Sequence, residues 1–568
     1  MLKAAARERW VAGSEGMVRH TIPRGYFEAR RHPDAPLLWE AMVREFNSHI
    51  DCGTWEYRPA SECYAAGREP IDCQWVYDIK TDKTTLALIL YKARIVARGD
   101  QMVYLRDYLQ TYSGVVRLST VRTFFAVCAL YNLTLTGADV STAYLHAPLR
   151  DVEVWMRQPR GFDNHEMDGK PALCLLKMAL YGLKQSAREW GITLSQWLID
   201  PAGQAFTRCI SDQYLFVKHG DKGKLYLLLW VDDLFFGCDD PPLRAAFMTA
   251  FKERFRVKDL GVLTQGLGAA VRQDLKAGTV SFDLAAYIGD VSRRFNLEHD
   301  VSWADIPLPV ALHKLCLDAK PTDTEVRETI DAYRALVGCI VYIATFARPD
   351  IAFAAHAAAT FVTRPGEVHM RLARRILGYL SRTRALAITY RRCAGSALAT
   401  SYHPQSPDAL PAGDTSGGLH MAVDASHGVR RSVSGWLICL AGAGIHWAVR
   451  AQPVPALSSS EAELYGLSSA VCDLLGFINV LEEFQIKFDG AVAILIDSRG
   501  ARLLAEDAAA SARTRHVHRR WYFVTHYIND GIIRLVPVRG THNAANFLTK
   551  PVCGDAFARD RAYAMGIQ

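Results

Sequence analysis

The chain has 568 residues, 50% apolar, 22% charged and 10% aromatic. At roughly 150 residues per domain that is length for about three to four domains, and the mixture excludes a disordered tail or a low-complexity filament. Lys and Arg number 66 against 59 Asp and Glu, a net charge of +7 that permits a phosphate-rich partner without demonstrating one.

The apolar run at 225–231 falls far short of the roughly 18 residues of a membrane span. The N-terminus (Met1, Lys3, Arg7, Arg9) lacks an apolar core followed by a small-residue cleavage site. The expectation is therefore a soluble protein. Thirteen cysteines, widely spaced and without a CxxC pair, read as buried reduced thiols of an intracellular protein rather than a zinc or disulfide framework.

Along the chain, Leu38, Met42 and Phe46 predict a helix. Strands are predicted at 74–79, 86–91 and 225–231. The segment 369–382 predicts an amphipathic helix, with Leu372, Ile376 and Tyr379 on one face and Arg371, Arg374, Arg375 and Arg382 largely on another. Such a basic face suits a nucleic-acid backbone and equally a solvated surface. Residues 403–418 (HPQSPDALPAGDTSGG) predict a linker. Beyond it the order reads strand, strand, helix, strand, helix, helix, strand, helix, which favours an α/β sheet with covering helices.

Carboxylates mark the candidate chemistry. In LYLLLWVDDLFFG two apolar runs flank Asp232 and Asp233, predicting a hairpin with both acids at its tip. Alone this is a weak signal, because acidic turns such as Asp239-Asp240 are ordinary. Asp139 follows a segment that starts apolar (Leu133, Leu135), at a strand end or as a helix N-cap. Three carboxylates on adjacent strand ends suit two Mg²⁺ ions about 3.5–4 Å apart, the arrangement for in-line attack on phosphate. Tyr144 is placed to lie under an incoming sugar, or to pack in the core. After the linker, Asp424 follows Met421-Ala422-Val423, Glu461 opens a helix after Ser458-Ser459-Ser460, and Asp497 ends the run 491–496. Glu461 and Asp497 each have a helix-capping reading, and the three acids together fit the acidic cluster of a ribonuclease H fold.

Many blocks in order carry a resemblance. They are Trp55, 74–77 (QWVY), 91–99 (YKARIVARG), 110–113 (QTYS), Asp139-Val140 with Ala143-Tyr144-Leu145, Gln158-Pro159 with Gly161-Phe162, 180–190 (LYGLKQSAREW), 231–233 (VDD), 258–261 (KDLG), Tyr333-Arg334 to Gly338, 348–351 (RPDI) and His369. Past the linker come 431–436 (RSVSGW), 460–463 (SEAE), Asp497-Ser498 and 513–516 (RTRH). The chain resembles the reverse transcriptase and ribonuclease H region of copia-type long-terminal-repeat retrotransposons, from about Leu38 to Val552.

The resemblance implies a multidomain α/β and α+β architecture: a right-hand polymerase of fingers, palm and thumb, then a connection and a mixed-sheet ribonuclease H-like domain. The expected divisions are an N-terminal extension at 1–35 without order, fingers and palm at 36–280, thumb and connection at 281–402, linker at 403–418, ribonuclease H-like domain at 419–553 and a tail at 554–568. It implies that Asp139, Asp232 and Asp233, and separately Asp424, Glu461 and Asp497, are catalytic metal ligands for Mg²⁺, two per site, with Mn²⁺ as a substitute. It further implies that Lys92 and Arg94 meet the incoming triphosphate, that Tyr144 excludes a ribose 2′-hydroxyl, and that Gln185 supports the nascent base pair or template. The expected partners are an RNA template, a DNA primer, their hybrid and dNTPs, with no membrane and with a homodimer allowed. The expected location is intracellular, cytoplasmic in a virus-like particle, nuclear or both, and not secreted.

Four positions depart from the family pattern. Trp230 stands where Tyr is usual, Gly114 where Pro is usual, and His518 where an acid is expected. Asn546, within 543–550 (NAANFLTK), replaces the fourth acid of the second cluster. An amide keeps a neutral oxygen ligand and loses the charge that offsets a divalent ion, so weakened or absent RNA hydrolysis is expected. The rival expectation is a degenerate copy that only binds nucleic acid or has no function.

Overall fold

A computed structural model describes residues 7–13, 16–81, 88–297, 305–392, 418–428, 431–486, 490–506 and 518–567. Residues 403–417 of the expected linker and the 513–516 block lie outside these.

The part before the expected linker is built around a six-stranded antiparallel sheet in the order Thr207–Arg208, Leu215–His219, Lys224–Trp230, Asp233–Cys238, Thr134–Val140, Val257–Val262. Alternation sends Leu225, Leu227, Leu229, Leu234 and Phe236 to one face, where they pack with Trp190, Leu194, Phe247 and Phe251 of two covering helices. Leu135, Leu228 and Phe235 go to the other face, against the buried helix Leu118–Leu130. A separate core joins the antiparallel pair Cys73–Thr81 and Leu88–Ala97 to the helix Ala35–Asp51. The helix expected around Leu38 and the strand at 74–79 are thus both present.

Within the expected N-terminal extension the structure describes residues 7–13 and 16–34. They form the hairpin Arg7–Gly13 with Gly16–Ile22 and the helix Tyr26–Arg31, and Ile22 and Ala29 are buried in this second core. The strand Thr279–Asp283 crosses the expected boundary at 280, because it pairs with Ile388–Arg391 in a four-stranded sheet.

The predicted basic helix is Glu367–Arg382, with Leu372, Ile376 and Tyr379 buried and Arg371 and Arg374 exposed. Two helices, Asp323–Phe346 and Ser459–Glu483, are long and apolar enough by composition to cross a bilayer. Each turns one side into the core, with Tyr333, Ile340 and Ile343 buried in the first and Leu464, Leu467, Val471 and Leu474 in the second. The cysteines of the described residues are free; most are buried, and Cys472 and Cys553 are exposed.

The C-terminal part carries a five-stranded sheet ordered Ala443–Ala451, Val433–Leu440, His420–Ser426, Val492–Ile496, Ile533–Pro537. The first three strands are antiparallel and the last two run parallel to the third. Three strands precede the long helix rather than the two expected. The extra turn is Ala441-Gly442, both with positive φ (55° and 79°), which suits a tight two-residue hairpin loop. The expected tail is the helix Gly554–Met565, whose Phe557, Ala564 and Met565 are buried.

One core cluster runs without a break through the Leu118–Leu130 helix, the Asp323–Phe346 helix and the C-terminal sheet. These elements therefore share one core, distinct from the core that holds the Ala35–Asp51 helix.

Candidate active sites

Asp232 sits in a two-residue loop between Lys224–Trp230 and Asp233–Cys238, with Trp230 and Asp233 as the closing pair. Val231 occupies the left-handed region at φ 57°, which is strained for a β-branched residue. The loop is pinned from two sides. Trp190 Nε1 donates to the Val231 carbonyl (2.6 Å), and the Val140 amide donates to the Asp232 carbonyl (3.0 Å).

Asp139 lies near the end of Thr134–Val140, directly across from Asp233, so both side chains leave the same face of the sheet. Its other neighbour is Lys258, exposed on the edge strand. Burial and the nearby Asp139 charge raise the Asp232 carboxyl above its ordinary value, while Arg94 and Lys92 pull it back. Those two cations share a face of Leu88–Ala97 by period two. The Arg94 guanidinium lies 4.9 Å from the Tyr181 ring centroid, and that ring meets Tyr144 edge-on at 4.8 Å. The Tyr144 hydroxyl is raised by burial and by Asp232.

Asp139, Asp232, Asp233, Lys92, Arg94 and Tyr144 thus converge from four stretches of sequence. Gln185 is buried, its Nε2 donating to the Asp107 carbonyl (3.1 Å) and its Oε1 left without a partner. Lys258, Tyr181 and Trp190 carried no assigned role, although all three lie within the quoted blocks.

In the second site, Asp424, Glu463 and Asp497 bring carboxylate oxygens within 4.8 Å of one another, the one group of three that does so among the described residues. The Asp139, Asp232 and Asp233 trio is more open. This overturns the expectation for Glu461. Its carboxylate accepts from the Leu457 amide (2.6 Å), while its own amide donates to Ser458 Oγ (3.1 Å), a reciprocal cap on the helix Ser459–Glu483. Two residues on, about 200° around the helix, Glu463 faces the sheet instead. The Ser-x-x-Glu spacing at 458–461 was the signal that could have separated the two.

Glu463 is 8% exposed, and its Oε2 is buried without a partner. Burial, then the charges of Asp424 and Asp497, push its carboxyl up to about 9; Asp497 is raised by burial and by Asp424. An all-carboxylate set with an orphaned oxygen fits a hard divalent cation. The folded chain keeps the Glu463 proton where an unfolded chain has lost it, so stability falls as pH rises between about 4.5 and about 9. Glu463→Gln is expected to flatten that slope in chelator, and Glu461→Gln to leave the slope and cost about 1 kcal/mol of capping, as read by thermal melts across the range.

Around the cluster, Thr549 Oγ1 donates to Asp424, and Lys550 Nζ lies 3.5 Å from Asp424 Oδ2. Asn543 Nδ2 donates to the Val423 carbonyl (2.8 Å) and to Asp497 Oδ1 (3.3 Å). Asn546 is buried beside them, its Nδ2 donating to the Gly540 carbonyl (2.6 Å) and its Oδ1 unpartnered. A Cβ at Gly540 would stand 3.1 Å from Asp497 Oδ2, so Asn546 and Asp497 flank the same short loop.

Residues 63–308 match the reverse transcriptase (RNA-dependent DNA polymerase) family. Over 540 residues, 94% of this chain and 38% of the relative, the sequence is 29% identical to the retrovirus-related Pol polyprotein from transposon TNT 1-94 of Nicotiana tabacum. Over 518 residues, 91% of this chain and 33% of the relative, it is 30% identical to the corresponding polyprotein from transposon RE1 of Arabidopsis thaliana. A transposon Ty5-1 protein of Saccharomyces cerevisiae is matched over its full length, at 27% identity across 59% of this chain. The chain spans about a third of the length of its plant relatives. Residues 63–308 thus match the reverse transcriptase family, in a chain similar over most of its length to retrovirus-related Pol polyproteins of plant transposons.

Proposed function

We propose that the chain is an RNA-directed DNA polymerase of fingers, palm and thumb, followed by a connection and a ribonuclease H-like domain. The observation that carries this is the pinned hairpin that sets Asp232 and Asp233 beside Asp139, with Lys92 and Arg94 bearing on the same acids. Asp139, Asp232 and Asp233 would hold Mg²⁺ through oxygen ligands, which when bound offsets charge on the reacting phosphate and on the primer oxygen.

The reaction is attack of the primer 3′-oxygen on the α-phosphorus of a dNTP, forming a phosphodiester as pyrophosphate leaves. Lys92 and Arg94 bind the triphosphate and neutralise its charge. Tyr144, braced by Tyr181, lies under the sugar and excludes a 2′-hydroxyl. Gln185, turned inward, positions the template by fixing the Asp107 loop. The exposed arginines of Glu367–Arg382 track the backbone of the hybrid.

In the C-terminal domain the three-antiparallel, two-parallel sheet and the Asp424, Glu463 and Asp497 cluster support a ribonuclease H-like reading, with Asn546 weakening RNA cleavage. The protein would act inside the cell on an RNA template and a DNA primer. Trp230 and Asn546 favour a second reading, a degenerate copy that binds hybrid without chemistry.

Primer extension on an RNA template with dNTPs and Mg²⁺ tests the proposal. Extension is expected; salt-sensitive hybrid binding without extension would replace the first reading with the second.

A further inference from the structure

Lys550 is the notable cation of the second acidic cluster. Its Nζ lies 3.5 Å from Asp424 Oδ2, and the Asp424 side chain is 3% exposed. Three carboxyl groups packed this closely repel one another when ionised, unless a proton or a nearby cation offsets their charge. Asp424 meets two groups of one short segment, the Thr549 hydroxyl, which donates to it, and the Lys550 ammonium, which pairs with it across 3.5 Å. That segment is fixed by its backbone, the amides of Thr549 and Lys550 both donating to the Asn546 carbonyl (3.1 and 3.2 Å). The lysine side chain itself is free to move, being 48% exposed on a four-carbon stem. Its field also reaches Glu463 and Asp497. Glu463, over nine-tenths buried, is held by the Ala425 backbone and keeps one carboxyl oxygen without a partner in the group it forms with Asp424 and Asp497, so the site has room for a ligand that the lysine does not supply.

We propose that Lys550 is a tethered cation that holds the place of a divalent ion at this cluster, and that metal entry displaces its ammonium from Asp424. The inference rests on the reading of Asp424, Glu463 and Asp497 as metal ligands. Lys550 is then a positioning residue that sets how tightly the cluster takes its metal.

The test is Mn²⁺ binding to the full chain, read by electron paramagnetic resonance of the free ion. Every variant carries Asp139→Asn and Asp232→Asn to silence the first site. Lys550→Gln is expected to bind roughly three- to fivefold more tightly than its parent, the scale of losing one exposed charge interaction, and Lys550→Arg to bind like the parent. Adding Asp497→Asn should remove the binding. Equal or weaker binding by Lys550→Gln, with Asp497→Asn still deleterious, overturns the role of Lys550 and leaves the metal site standing. Binding that ignores Asp497→Asn, or no binding at all, overturns both. Acetylation of Lys550, followed by mass spectrometry, needs no substitution at 550: Mn²⁺ should raise its rate, and an unchanged rate counts against displacement.

Discussion

Asp232→Asn is expected to lower primer extension on an RNA template by on the order of 10³-fold or more, the scale for removing a group that stabilises transition-state charge. The substitution keeps the shape of the side chain and removes its charge. The main chain at 231–232 is held by Trp190 and Val140 through carbonyls that the change does not touch, so the melting temperature should hold. Burial already disfavours the charged carboxylate at this position, so a neutral amide is tolerated by the fold and fails only where charge is needed. Asp233→Asn should cost less, because Asp233 would assist a metal held chiefly by Asp139 and Asp232. Equal activity of Asp232→Asn and the parent would exclude this hairpin as the reacting centre.

Arg122→Ala is expected to be the most destabilising single change in the chain's interior, by about 3–5 kcal/mol. Arg122 is buried in the Leu118–Leu130 helix. Its Nε donates to the Ile445 carbonyl (2.7 Å), and its Nη1 to those of Thr345 (2.7 Å) and Phe346 (3.0 Å). The guanidinium lies 4.1 Å from the centroid of Trp447, which itself donates to the Ala344 carbonyl (2.8 Å). One side chain thus ties the Leu118–Leu130 helix, the Asp323–Phe346 helix and the C-terminal sheet together. Burial pulls the guanidinium down to about 10, still charged at neutral pH. Truncation strands three carbonyl acceptors, two of them buried, and opens a cavity beside Trp447. Denaturant unfolding should change from one transition to two as the C-terminal domain uncouples. A single transition shifted by under about 0.5 kcal/mol would contradict the role.

The parts of the site legible in sequence were those written locally. An apolar run, two acids and a second apolar run are enough to specify the 224–238 hairpin, and period two puts Lys92 and Arg94 on one face. The register that sets Asp139 opposite Asp233 depends on contacts nearly a hundred residues apart, and only the family resemblance carried it. Glu461 and Glu463 differ by helical phase, which a strand-to-helix junction does not fix until the cap is recognised. The termini read as loose because they are polar on average. Ile22, Ala29, Phe557 and Met565 are buried by distant partners, and Arg122 has partners more than two hundred residues away; neither leaves a local pattern.

The most direct test of the account combines both centres in one tube. The purified chain, with dNTPs and Mg²⁺, is given a labelled DNA primer on an RNA template carrying a second label. The account predicts primer extension that Asp232→Asn abolishes and Glu463→Gln spares, with the RNA strand cut slowly or left intact unless Asn546→Asp is introduced. Extension that survives Asp232→Asn, or a hybrid that is bound and never extended, would contradict it.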